Sequence, residues 1–413
     1  MSWLTPRRLR DYPRLFALAL WGAYGLEVLF HQGWRGGLGG IIGSDFITLY
    51  GAGLLYRESA ARLYDFAAQA GVQAALIAPT PYPGLNPFIS PPYVAMACGL
   101  LTFLPLLPAF LLWNGLTALW TLHAARMLWR IVPLDAKASG LSFAQMAILM
   151  LSFFPFLAGW RVGQNHGLTL WLATGVLMAQ RAGRPMLAGL LAGLLLYKPQ
   201  FVLGFLILWL AWGEICALLG FGAIAAAWIG LSLGTVGSAP YREYLAHGAF
   251  LLSLPWTEGF PAFALITPYG LLGTLLPPDA RPWLRATAPA LLIATGLGLA
   301  LLARSLRGQP FERQAPAWML ALLYPLLASP YALLHDLMLM IPLLGLWAAY
   351  HPSRRLLQVT VGVYLSGLFL PLLGALTGLA LPALLPISTL LALSREGWFP
   401  LFRGAHRKPP ARS

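Results

Sequence analysis

The sequence predicts an all-α, polytopic integral membrane protein with about 12 transmembrane helices. Three observations carry that expectation. Hydrophobic residues make up 59% of the 413-residue chain and charged residues only 10%, whereas a soluble chain carries about a quarter charged residues. The apolar residues run in whole segments approaching the ~20 residues that a helix needs to cross a bilayer, which excludes an outer-membrane barrel with its alternating strands. The net charge of +14 comes from basic residues scattered between those segments, so it reads as topology and no nucleic-acid partner is expected. Cys98 and Cys216, the two cysteines, lie far apart in or beside apolar stretches and support neither a disulfide framework nor a zinc site.

In chain order, Arg7, Arg8, Arg10 and Arg14 precede the first span, 15–32, with no small-residue cleavage site after it. The N-terminus is therefore expected in the cytoplasm. Residues 33–107 form the long first outer loop. Its glycine-rich start, 33–43, lacks the lysine and strand of a phosphate loop and reads as a flexible linker. Its end, 87–107, is apolar but interrupted by Pro91, Pro92 and Pro105, with Pro108 just beyond; it reads as a half-embedded or juxtamembrane hairpin. The further spans fall at about 108–126, 140–158, 167–180, 186–197, 199–212, 216–236, 285–303, 315–328, 336–350, 356–372 and 376–393. This threading places Arg126, Arg130, Lys137, Arg181 and Arg184 inside, together with Arg304, Arg307, Arg313, Arg354, Arg355 and the basic tail 394–413. A full crossing at 87–107 would move the first five outside. The whole chain, 1–413, is read as one domain in the inner (plasma) membrane, with both termini cytoplasmic.

Once oriented, the outer loops collect Asp45, Tyr50, Tyr64, Asp65, Asn86, Arg161, Gln164, Asn165, His166, Lys198, Arg242, Glu243, His247, His335 and Asp336, while the inner loops carry little beyond arginine. ATP and nucleotide sugars are absent from an outer surface. Group transfer there draws on a substrate activated and carried by a lipid.

Asp45 follows Gly43-Ser44 and opens a helical run in which Asp45, Leu49, Ala52 and Tyr56 share a face. As a structural residue it would cap that helix; as a functional one it would be a general base for an acceptor hydroxyl. Lys198, between two apolar helices with Pro199 at the break, is either a snorkelling residue or the cation that stabilises a leaving phosphate. Arg242 and Arg161 are further candidate cations, or interfacial anchors beside their aromatic neighbours. Gln164, Asn165 and His166, bounded by Gly163 and Gly167, fit either sugar binding or turn chemistry. His335 and Asp336 would hold a donor phosphate or orient an acceptor, or else complement a helix dipole. Glu27, a turn from the outer end of the first span, is expected to reach water. No HExxH, CxxC or carboxylate cluster has metal spacing, so no metal is assigned.

These residues, in this order, resemble glycosyltransferase family 87, the polyprenyl-phosphate-mannose-dependent α-mannosyltransferases of the GT-C superfamily. The carriers are Asp45-Phe46 with Tyr50; Leu63-Tyr64-Asp65; Asn86-Pro87-Phe88 with Pro91-Pro92; Trp113; Gly163-Gln164-Asn165; Ala188-Gly189 with Gly193, Lys198 and Pro199; and Ser329-Pro330 before His335-Asp336. The resemblance implies a GT-C fold, Asp45 as catalytic residue, and inverting transfer of a hexose, mannose first among candidates. The donor would be a polyprenyl-phosphate sugar drawn from the membrane lipids, with no other cofactor, and the acceptor a glycolipid or glycan. Lys198, Arg242, Arg161 and His335 would then serve the donor phosphate, and Tyr50, Gln164, Asn165, His166 and Asp336 would line the sugar or acceptor pocket. A transporter or flippase for a lipid-linked sugar is the alternative; it would favour midplane charges and two related halves. An assembly scaffold is a third reading.

Overall fold

A computed structural model of the chain describes residues 5–82, 84–131 and 142–396. Lys137 and residues 397–413 of the basic tail lie outside them. The described chain is helical throughout, with isolated β-bridges but no strand. Among the described residues, three helices are long and apolar enough to cross a membrane: Ile215–Val236, Ala288–Ser305 and Arg354–Thr377. Two bent pairs raise the number to five if each is one span: Pro92–Phe103 meets Leu106–Ile131 at 116°, and Phe143–Leu151 meets Phe154–Val162 at 57°. The protein is membrane-embedded and all-α.

Against about 12 expected spans, three to five reach full length among the described residues, because several apolar segments are short or cut. Pro155 starts a new helix directly after the turn at Ser152 and Phe153, and Pro199 follows a kink at Lys198 that separates two short 3-10 turns. Pro185–Tyr197, Pro199–Trp212, Leu334–Tyr350 and Leu381–Arg395 remain as shorter apolar helices.

The core lies around Phe311–Ala328, which is buried without a break from Ala315 to Ala328 apart from Leu320. Trp209, Trp318 and Trp347 are fully buried about it. Pro185–Leu194 packs closely on Ile215–Val236 because the facing positions are glycine. A Cβ on Gly189 would run into the Ala217 carbonyl, and one on Gly220 into the Met186 carbonyl.

The 33–107 segment is a folded unit. Its glycine-rich start is not the expected flexible linker: the backbone bonds to itself through Gly36 N–H to Gly40 O at 3.1 Å and Ile42 N–H to Trp34 O at 2.8 Å. Glycine is required where this loop wraps Glu27, since a Cβ on Gly36 would meet the Glu27 carboxylate. After Ser44–Ser59 comes Phe66–Ile77, capped by Asp65, whose side chain accepts from the N–H groups of Ala67 and Ala68. Gln69 and Gln73, one turn apart and both buried, then act as artificial strand partners for the extended chain that follows. The Gln73 amide takes the Asn86 N–H at 3.1 Å and donates to its carbonyl at 2.7 Å. The Gln69 amide does the same for Phe88, at 2.7 and 3.4 Å. Residues 237–280, outside every expected span, form Ala239–Ala246, Gly248–Ser253 and Pro268–Leu275. The first of these leads into His247, whose ring stacks on Tyr64 with centroids 6.1 Å apart.

Candidate functional site

Asp45 sits in the first turn of Ser44–Ser59, but it does not cap that helix. Gly43, with φ 74°, is the cap residue, and its N–H is held by the Arg161 carbonyl at 2.8 Å. Released from capping, the half-buried carboxylate reaches across the fold. Oδ1 accepts from Asn86 Nδ2 at 2.7 Å, and Oδ2 accepts from Gln164 Nε2 at 2.6 Å. Both donors are amides, so they orient the carboxylate without protonating it, and each oxygen keeps a lone pair.

Both donors are themselves fixed. Asn86 is clamped by Gln73, and its carbonyl also accepts from the Thr48 hydroxyl at 3.0 Å. Gln164 follows Gly163, which has φ 73° and ends Phe154–Val162. Only glycine fits there: a Cβ would stand 2.5 Å from the Phe46 Cβ. The Gly163 carbonyl accepts from Trp113 Nε1 at 3.0 Å, and the Gln164 N–H bonds the Gly159 carbonyl at 2.8 Å. Tyr82 lies within the field of Asp45; burial, with that carboxylate adding, pushes its phenol up to about 12.

The second polar group gathers on Lys198. Its Nζ lies 2.9 Å from Asp336 Oδ1 and 3.3 Å from His335 Nε2, and stands 5.4 Å from the centre of the Phe201 ring. An ammonium only donates, so the His335 contact is a hydrogen bond when Nε2 is unprotonated, which leaves Nδ1–H as a donor. The other Asp336 oxygen accepts the Leu333 N–H at 3.0 Å and caps the turn Leu334–Leu339. Helix-end capping and pairing with Lys198 thus coexist in one residue. Two of the three ammonium protons are engaged, and the third is available.

The 164–166 turn lies between the two groups. Gln164 faces Asp45, while the His166 ring stands 6.5 Å from that of His335 and 5.0 Å from Phe156. Among the described residues, both His166 ring nitrogens and Asn165 Oδ1 are buried with no partner at hydrogen-bond geometry. Tyr331 joins the groups from another side. Burial pushes its phenol well above the ordinary range, and the charges of Asp45 and Asp336 add to that shift. Its backbone is pinned by Ser329, whose hydroxyl donates to the Tyr331 carbonyl at 2.8 Å and accepts its N–H at 3.1 Å. Sequence reasoning missed Tyr331 and Tyr82 as site residues, although the Ser329-Pro330-Tyr331 turn was a visible signal for the first.

Other expected residues have different tasks. The Arg161 guanidinium grips Glu27 through three contacts of 2.7, 2.9 and 3.1 Å and the Gly39 carbonyl through a fourth at 2.8 Å. It is thus neither an open phosphate cation nor a simple aromatic anchor, and Glu27 is buried and does not reach water. The Tyr50 hydroxyl donates to the Leu104 carbonyl at 2.7 Å, and its ring packs on Phe46, so it serves the core and not a pocket. His166 and Asp336 are likewise enclosed: the first is wedged against Gly159 and Phe156, and the second has both oxygens engaged. Arg242 is exposed on Ala239–Ala246 and donates to the Ser238 hydroxyl at 2.8 Å.

In comparison with known protein families, the model of glycosyltransferase family 87 matches residues 88–330. No curated protein and no solved structure matches the chain.

Proposed function

The chain belongs to glycosyltransferase family 87, and from that premise we propose that it moves a hexose, mannose first among candidates, from a polyprenyl-phosphate donor to a glycolipid or glycan acceptor. The observation that carries the reading is the Asp45 carboxylate, held by the Asn86 and Gln164 amides with lone pairs to spare. The acceptor hydroxyl oxygen attacks the anomeric carbon on the side opposite the phosphate, and its proton passes to Asp45. The bond from that carbon to the phosphate oxygen breaks, its electron pair leaves with the phosphate, and the configuration inverts. The third Lys198 proton and the His335 Nδ1–H serve the charge that builds on the leaving phosphate. Gln164 and Tyr331 face the sugar between these groups.

The proposal includes a GT-C organisation with about 12 crossings, placement in the plasma membrane with cytoplasmic termini, and a site opening to the outer side. No cofactor beyond the lipid-linked donor is assigned. The test is transfer from labelled polyprenyl-phosphate mannose to native membrane lipids by purified protein. Asp45→Asn keeps the size and one of the two amide contacts, its new NH2 facing the other donor, and removes the base, so the rate is expected to fall about 100-fold or more. Normal transfer by that variant overturns the mechanism.

A further inference from the structure

Three helices that bring groups to the Asp45 site have their opposite ends at a second polar cavity. His166–Arg181 begins beside Gln164, Leu203–Trp212 follows Lys198, and Phe311–Ala328 ends at the turn carrying Tyr331. The 16 residues of His166–Arg181 rise about 24 Å, so the cavity and Asp45 are too far apart to hold one headgroup. The cavity has a volume of ≈ 420 Å³ and is lined by Gln180, Arg181, Trp212, Glu214, Arg307 and Phe311 among others. That volume suits a small polar ligand.

The turns around it are built from left-handed glycines: Gly183 at φ 68°, Gly213 at 73° and Gly308 at 72°. A Cβ on Gly213 would stand 3.2 Å from Arg307 Nη2, so glycine there lets the guanidinium lie against the turn. Arg181 and Arg307 bring two positive charges and Glu214 one negative charge. Among the described residues no salt bridge joins any of the three. Helix-dipole complementarity accounts for an arginine at the end of His166–Arg181, but it does not call for a cavity that holds two guanidinium groups and a carboxylate together.

We infer that this cavity binds a phosphodiester whose headgroup carries hydroxyls. A guanidinium fork suits phosphate oxygens, and the two arginines with Glu214 give the lining a net positive charge that one phosphodiester anion neutralises. Glu214 accepts from a headgroup hydroxyl, and Trp212 with Phe311 gives the cavity an apolar wall. Basic pockets between membrane helices take lipid headgroups in this manner. The ligand is either a membrane lipid at the end of the bundle away from Asp45 or a soluble phosphodiester.

The test is thermal unfolding of the purified full chain in detergent, titrated with phosphatidylglycerol, phosphatidylethanol, phosphatidylcholine or soluble glycerophosphoglycerol. Phosphatidylglycerol is expected to raise the midpoint saturably and phosphatidylcholine to leave it unchanged. Phosphatidylethanol, which has the same charge and no headgroup hydroxyl, is expected to bind more weakly. Saturation by glycerophosphoglycerol would identify a soluble ligand, and saturation by the lipid alone a headgroup. Arg181→Gln with Arg307→Gln is expected to weaken the response about tenfold or more. Glu214→Gln is expected to retain binding but lose the preference over phosphatidylethanol. Equal shifts by phosphatidylglycerol and phosphatidylcholine, or a full shift in the double arginine variant, overturn the inference. The Asp45→Asn protein is expected to respond like the parent, so this outcome is independent of the transfer reaction.

Discussion

Replacing Arg161 by Met separates a structural arginine from a phosphate ligand. The Glu27 side chain is 4% exposed and the Arg161 side chain 27%, so the two halves of the pair are unequal. Removing Arg161 strands a buried carboxylate with the glycine loop wrapped about it, which costs about 3–5 kcal/mol. Glu27→Gln instead leaves a guanidinium that still holds the Gly39 carbonyl and can reach solvent; its expected cost is nearer 1–2 kcal/mol. The double variant should be more stable than the sum of the singles predicts, because the stranded charge is gone. Thermal unfolding in detergent reads this asymmetry, with a fall of about 5 °C or more for Arg161→Met, and a parallel transfer assay follows activity. The reasoning is refuted if Arg161→Met unfolds at the parent temperature while transfer is lost, or if Glu27→Gln proves the more damaging change.

The remaining predictions concern the site and its frame. Gln164→Leu removes the donor to Asp45 Oδ2, which should cost stability of about 1.5–3 kcal/mol or less and, through the loss of a positioned base, lower kcat/KM of the folded protein about tenfold or more; an unaltered kcat/KM would show that this amide does not position the base. Gly189→Ala places a methyl against the Ala217 carbonyl and should destabilise by roughly 1–3 kcal/mol, whereas Gly222→Ala meets nothing within 4 Å and should stabilise its helix by up to about 1 kcal/mol; similar midpoints for the two variants would refute the close helix contact. The Asp65 carboxyl is held below its usual range, first by the Ala68 N–H, with the Ala67 N–H and Arg62 helping against desolvation. Its contribution to stability is therefore present above the unfolded carboxylate range and lost as pH falls through the lower folded value, so Asp65→Ala should flatten the acid limb of a stability-against-pH curve, and an unchanged limb would count against the cap.

Parts of the site were legible because they break a local pattern. Asp45 stands out as a carboxylate before a periodic apolar run, Lys198 as a cation at a proline break, and His335-Asp336 as charges at the start of an apolar helix. Their partners were not legible. Asn86 lies 41 residues from Asp45 and Gln164 lies 119, while Lys198 meets Asp336 across 138 positions. Arg161 was misread for the same reason, since Glu27 is 134 residues away. The glycines of 33–43 look alike whether they serve a loose linker or a backbone fitted around a carboxylate. Gln69 and Gln73 gave no signal, because a glutamine that substitutes for a strand partner resembles any surface glutamine until the extended chain beside it is known.

What the sequence by itself determined is the class of the molecule and the rough placement of its helices. Hydropathy, helix length and proline breaks are properties of consecutive residues and can be read along one dimension. The tertiary structure alone decided what each charge does: Arg161 neutralised by Glu27, Lys198 held yet with a proton available, and Asp45 steadied by two amides. The physical reason is that hydrogen bonds and Coulomb interactions act over a few ångströms of space, and distance in space between residues a hundred positions apart is created only when the helices pack.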